Sequence, residues 1–92
     1  MAKQVKAEKL SIDYPKADEI IWGGHYAVRI NAPHSEKVEV SLDNGKWVAC
    51  RNEAGHWWLD IHGLTEGEHT LAARTGNNRI AAVMRRFKVS HR

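Results

Sequence analysis

The stretch Lys37-Val38-Glu39-Val40-Ser41-Leu42-Asp43-Asn44-Gly45-Lys46-Trp47-Val48 decides the fold class. Successive side chains of an extended backbone point to opposite sides, so strict alternation puts Val38, Val40 and Leu42 on one face and Glu39, Ser41 and Asp43 on the other. That is an antiparallel strand with one face in a core and one in water. Asn44-Gly45 then supplies residues that tolerate positive φ, as a tight hairpin requires, and the chain returns through Trp47-Val48-Ala49-Cys50-Arg51.

The same period recurs on both sides. Downstream, Glu53-Ala54-Gly55 is a turn, and His56-Trp57-Trp58-Leu59-Asp60-Ile61-His62 alternates with Trp57, Leu59 and Ile61 facing one way and His56, Trp58, Asp60 and His62 the other. A loop over Gly63-Leu64-Thr65-Glu66-Gly67 leads into a strand from Glu68 to Thr75, and Gly76-Asn77-Asn78 makes the last corner. Upstream, Lys9 to Asp13 alternates before Tyr14-Pro15 and Tyr26 to Ala32 before Pro33, with Gly23-Gly24 between; each proline ends a run because it has no ladder donor. In the last segment Ile80, Ala82 and Met84 share one parity while Phe87 and Val89 share the other, which predicts a β-bulge or break near Arg85-Arg86 that turns both arginines to solvent. Seven or eight short strands without a helical stretch make an all-β sandwich or barrel.

Length and composition bound the rest. Ninety-two residues suffice for one domain, read here as residues 9–90 behind a flexible N-terminal segment 1–8. No apolar run approaches a bilayer span, and Met1-Ala2-Lys3-Gln4-Val5-Lys6 lacks the apolar core of a signal peptide. The compartment stays open, cytoplasmic if the chain is complete, and no membrane is expected as a partner. Cys50 is the only cysteine, so the core holds without an intramolecular disulfide, and Cys50 reads as a small buried hydrophobe rather than a nucleophile. The net charge of +3 is placed late: residues 47 to 92 carry seven basic and four acidic groups, and Arg74, Arg79, Arg85, Arg86, Lys88 and Arg92 follow one another without an acid. Such a run is either a solvated, aggregation-blunting edge or a positive face for an acidic partner.

The runs Val38 to Trp47, Trp57-Trp58-Leu59-Asp60 and Glu66-Gly67-Glu68-His69-Thr70-Leu71-Ala72-Ala73-Arg74 resemble a recurring strand–turn–strand pattern of bacterial immunoglobulin-like modules, in particular the dimerisation domain appended to sulfite-oxidase-type molybdenum enzymes. Ile12-Asp13-Tyr14-Pro15 with Gly23 to Ile30 looks like the first two strands of such modules, where the proline marks a crossing between sheets. The likeness covers roughly residues 10 to 90. It implies an immunoglobulin-like (early-set or fibronectin III-like) antiparallel sandwich without a disulfide, used for association or spacing. It transfers no active-site residue, because the molybdenum centre of those enzymes lies in another domain.

No chemistry-bearing constellation stands out. His25, His34, His56, His62, His69 and His91 show no metal-ligand spacing, and His56 and His62, though on one strand face, are about 20 Å apart at roughly 3.3 Å per residue. No metal, cofactor or catalytic residue is therefore assigned, and an enzyme is not expected. Among Trp22, Trp47, Trp57 and Trp58 at least two rings should be core, and since Trp57 and Trp58 face opposite ways one ring should lie on a sheet surface. A surface ring is structural cover, a protein contact or a sugar platform. The partner-binding candidates are Trp47, Trp58, Arg85, Arg86 and Lys88, with a protein partner or self-association as the first reading, a carbohydrate ligand as the alternative, and nucleic acid last because the aromatics are not interleaved with the basic residues.

Overall fold

A computed structural model describes residues 9–33, 35–76 and 81–91. The expected flexible segment 1–8 and the corner at Asn77-Asn78 lie outside the described residues. Two sheets face each other. One has four strands in the order β1 (Ser11–Tyr14), β3 (Tyr26–Asn31), β7 (His56–Ile61), β6 (Arg51–Glu53). The other has five, in the order β2 (Glu19–Trp22), β9 (Val83–Ser90), β8 (Gly67–Thr75), β4 (Val38–Leu42), β5 (Trp47–Ala49). No α-helix occurs among the described residues, and none is long and apolar enough to cross a membrane.

In β3, β4 and β7 the inward set is the one that alternation selects. Val28 and Ile30 of β3, Val38 and Val40 of β4, Leu71 and Ala73 of β8, and Phe87 and Val89 of β9 are buried together with Ile12, Ile21, Trp57 and Ile61. Trp57 is the one buried indole, its Nε1 donating to the Ala32 carbonyl at 3.3 Å, so one ring rather than two belongs to the core. Trp47 and Trp58 are half-buried and Trp22 is exposed. Phe87, stacked beside His69 at 5.5 Å between ring centroids, supplies the aromatic area a second tryptophan was expected to supply.

The chain passes between the sheets five times, and on two of these passages it goes directly from an edge strand of one sheet to an edge strand of the other. After β1 it crosses at Tyr14-Pro15, a cis peptide bond, and β2 then runs parallel to β9 in the other sheet. The second edge-to-edge passage is at Cys50, whose amide closes the β4–β5 ladder on the Val38 carbonyl at 2.9 Å before the chain enters β6. The segment Trp47 to Arg51 is thus two edge strands in different sheets rather than one strand. At the first hairpin the positive φ values fall on Asp43 (51°) and Asn44 (62°) instead of Asn44-Gly45, with Gly45 N–H donating to the Leu42 carbonyl at 2.9 Å. Two central residues with φ > 0 match the twist of the flanking strands.

The predicted irregularity in β9 does not occur. Its pairing with β8 is regular from Gly67↔Val89 to Ala73↔Val83, so Val83, Arg85, Phe87 and Val89 share the inward side and Met84 points out. Arg85 is accommodated facing inward at the sheet margin because its Nη1 donates to the Pro15 carbonyl at 2.8 Å, which removes the reason for a change of phase. The irregularity sits in β1 instead, between Ile12 and Tyr14, where Asp13 is the extra residue and its carboxylate takes the Arg29 Nε at 3.0 Å.

Candidate functional site

The register separates the sequence-predicted residues. Trp58 pairs with Arg29 and Arg51 on the outer face of the four-stranded sheet. Trp47 is opposite Ser41, and Arg86 and Lys88 are opposite Thr70 and Glu68, all on the outer face of the five-stranded sheet. Arg85 faces inward at the margin and is spent on Pro15. Trp47, Arg86 and Lys88 therefore share a face, Trp58 lies on the opposite side of the domain, and Arg85 leaves the candidate surface. Of the other late cations, Arg74 donates to Glu39 Oε1 at 2.9 Å and caps the Trp47 ring at 4.0 Å, while Arg79 and Arg92 lie outside the described residues.

The outer face of the five-stranded sheet carries three large apolar side chains that sequence reasoning missed. Parallel pairing puts Ile20 beside Lys88 and Trp22 beside Ser90 on the edge strand β2, and Met84 lies opposite Ala72 on the same side. Their exposures are 48% for Ile20, 66% for Trp22 and 60% for Met84. The cations Arg86 and Lys88 share that side of β9 with Met84, and the Arg86–Glu68 approach of 3.7 Å between two exposed side chains holds Arg86 only weakly. A depression of about 380 Å³ is lined by Ala17, Thr70, Met84, Arg85 and Arg86 at the same margin. The available signal was Ile20-Ile21-Trp22, a short apolar run without alternation between a turn and Gly23-Gly24; such a run is an edge strand with apolar groups on both of its faces.

The outer face of the four-stranded sheet is built differently. Arg29 lies 4.8 Å from the Tyr14 ring and 6.0 Å from the Trp58 ring while its Nε bonds Asp13. Arg51 reaches Asp60 at 3.2 Å and Glu53 at 3.4 Å, and the Trp58 Nε1 donates to the Glu53 carbonyl at 3.0 Å. One step beyond the β3–β7 ladder, His25 and His62 stack with ring centroids 4.6 Å apart.

Among the described residues three ionisable groups are shifted, each by a structural cause. Burial would pull His69 down, but the Thr65 carbonyl on Nε2 at 2.7 Å and the Asp43 carboxylate on Nδ1 at 2.6 Å outweigh it, and the imidazole is held above its ordinary value of 6.5. Burial, with Glu19 beside it, pushes the Tyr26 phenol up to about 12. Burial likewise holds the Cys50 thiol at about 11, Arg51 drawing it down and Glu39 up. No set of three or more His, Cys, Asp or Glu side chains is placed to hold a metal ion among the described residues. A cleft of about 270 Å³ opens between the sheets where β5 and the end of β7 part, walled by Val40, Leu42, Val48, Leu59 and Ile61, which is why Leu59 is only half-buried.

No protein-family model matches the chain, and no curated protein matches it. Solved structures do. CopC from Methylosinus trichosporium OB3b superposes with a TM-score of 0.64 at 18% identity, covering 92% of this chain and 95% of that one. The fibronectin(III)-like modules of Clostridium thermocellum CbhA give 0.61 at 17% identity, over 91% and 96%. An engineered protein gives 0.71 at 14% identity, with 91% of this chain spanning 20% of that one. At these identities the likeness shows the fold, an immunoglobulin-like or fibronectin III-like β-sandwich. The chain spans a fifth of the engineered protein and nearly the whole of the other two.

Proposed function

We propose that the domain is a non-catalytic interaction module that binds a protein partner, or a second copy of itself, through the outer face of its five-stranded sheet. The observation that carries this reading is the exposure of Ile20, Trp22 and Met84 on the same face as Arg86 and Lys88. A contact surface of this kind combines apolar anchors, a tryptophan among them, with cations that select and orient an acidic partner.

The carbohydrate reading has less support. A sugar platform needs neighbouring exposed rings, whereas Trp22 and Trp47 are on the two outermost strands of one sheet, four strand spacings or about 19 Å apart. Trp58 is on the other sheet and Trp57 is inside.

Sedimentation from about 10 μM to about 1 mM, the range in which small interfaces associate, tests the self-association arm. The expected result is a concentration-dependent dimer that Trp22→Ala and Met84→Lys each abolish and Trp58→Ala leaves intact. For a different partner, a photo-reactive residue placed at position 22 or 84 in producing cells should give adducts that one at position 27 or 58 does not. Adducts concentrated at 27 and 58, or a dimer indifferent to Trp22→Ala and Met84→Lys, would overturn the assignment to this face.

A further inference from the structure

We propose that His25 and His62 form a surface site for a divalent first-row transition-metal ion, binding Cu(II) ahead of Ni(II) and Zn(II). The site lies on the sheet opposite the docking face and is independent of it. Its basis is register: the β3–β7 ladder ends at Tyr26↔Ile61, and one step further out His25 and His62 stand directly opposite each other. Side chains so placed have Cβ atoms about 4.5–5.5 Å apart. Here the two rings lie face to face, 4.6 Å between centroids and 3° from parallel, and both residues are exposed.

What distinguishes the pair among the described histidines is that its ring nitrogens are not bonded to any other described residue. His56 Nδ1 lies 3.2 Å from the Ala54 carbonyl, His69 is bonded through both nitrogens, and His91 Nε2 lies 2.8 Å from the Leu64 carbonyl. Among the described residues, neither His25 nor His62 has a hydrogen bond from its ring. Two imidazole nitrogens bound to one ion at about 2.0–2.1 Å each are separated by roughly 3 Å; their lone pairs lie in the ring planes, so both rings must turn out of the parallel stack to converge on one ion, a rotation that their exposure leaves open. Neutral imidazole suits copper, nickel and zinc, copper most strongly, while magnesium and calcium prefer oxygen ligands. Asp60, two residues before His62 and on the same side of β7, holds negative charge nearby while bonded to Arg51 at 3.2 Å. With two protein ligands and an open outer side, water completes the coordination and the ion exchanges readily.

The alternation that exposes His56 and His62 on one strand hides this pairing, because the partner of His62 comes from 37 positions upstream, as the numbers 25 and 62 show. Only the register of β3 against β7 brings the two together.

The test is a titration of the full chain with CuCl₂, followed by NMR of the histidine ring signals. The expected result is that sub-stoichiometric Cu(II) broadens His25 and His62 before the other four histidines, and that His25→Ala and His62→Ala each weaken the first binding event by roughly tenfold or more, one of two coordinate bonds being lost. His56→Ala should leave it within about twofold, MgCl₂ should broaden nothing, and lowering the pH to about 5 should release the ion as protons compete for the rings. Both histidines are exposed, so the variants should keep the wild-type spectrum elsewhere. Broadening that begins at another histidine or spreads evenly over all six, or an unchanged first affinity in His25→Ala or His62→Ala, would overturn the site.

Discussion

Replacing Asp43 by asparagine tests whether a charged clamp fastens the first hairpin to the start of β8. Asp43 Oδ2 meets His69 Nδ1 at 2.6 Å and Oδ1 accepts the Thr70 amide at 2.8 Å, while the Thr70 carbonyl accepts the Asp43 amide at 2.7 Å. Because the Thr65 carbonyl faces the other nitrogen of His69, a neutral ring satisfies only one of two acceptors and the imidazolium satisfies both. The substituted side chain tolerates the left-handed backbone of Asp43 (φ 51°) and keeps the bond to Thr70, but it faces Nδ1 with an amide. A charge-assisted bond contributes about 1.5–3 kcal/mol against about 0.5–1.5 for a neutral one, and the 45% exposure of the Asp43 side chain places the loss near the low end, about 1 kcal/mol. For a domain of this size that is about 4–8 °C in Tm. The sign with pH follows from the raised His69 pKa: the contribution is complete below the unfolded value near 6.5 and is lost as the pH rises through the folded value. Urea unfolding at pH 6 and pH 9 should show wild-type stability falling with pH and the Asp43→Asn deficit shrinking toward zero. His69 should titrate above 6.5 in the wild type and lower in the variant. An equal deficit at both pH values, or a wild-type His69 titrating at or below 6.5, refutes the clamp.

Three further expectations follow from the same geometry. Cys50, half-buried against the core rather than fully buried as expected and held at about 11, should react slowly with alkylating reagents at pH 8 and at the ordinary thiol rate in denaturant; equally fast labelling of the folded protein would contradict the raised value. Ala54 sits at φ 53°, where Cβ is strained and Gly is not, so Ala54→Gly should raise the urea midpoint by the equivalent of about 0.5–1 kcal/mol, and a loss would show that the β6–β7 corner tolerates alanine without cost. Trp57→Ala should cost about 3–5 kcal/mol and leave little folded protein, whereas Trp58→Ala should cost about 1 kcal/mol or less; reversed values in thermal melts would exchange the inward and outward assignments of β7.

Period-two alternation was sufficient for β4, β7 and the core side of β8, because in each strand buried residues recur on one face: Val38 and Val40, Trp57 and Ile61, His69, Leu71, Ala73 and Thr75. It failed where the face is set by a distant group. Arg85 faces inward only because the Pro15 carbonyl, 70 residues away, receives it, and nothing local to Arg85-Arg86 encodes that bond. β2 was invisible for the opposite reason: both of its faces are apolar, Ile21 toward the core and Ile20 and Trp22 toward solvent, so no alternation marks it. The candidate surface was half legible, since Trp47, Arg86 and Lys88 do share a face but the exposed ring on it is Trp22 rather than Trp47, which Arg74 covers.

The two outer faces treat their apolar groups in opposite ways, and this sets the scale of any association. On the four-stranded sheet each exposed ring is already partnered: Tyr14 by Lys16 and Arg29, Trp58 by Arg29 and by the Glu53 carbonyl. Covering that face would displace hydrogen bonds and ion pairs that a partner would have to replace. On the five-stranded sheet Ile20, Trp22 and Met84 have no polar commitments to break, and among the described residues the Trp22 ring makes no aromatic or cation contact. At the exposures given above they leave roughly 350 Å² of side chain open, which at about 25 cal/mol per Å² is a gross gain of about 9 kcal/mol on complete coverage. Association itself costs about 4–15 kcal/mol in lost rigid-body freedom, so three anchors on one side do not sustain nanomolar binding without equal area from the partner. The docking proposed for this face is therefore expected to be reversible, stronger toward an acidic surface that meets Arg86 and Lys88 and weaker in salt as their charges are screened.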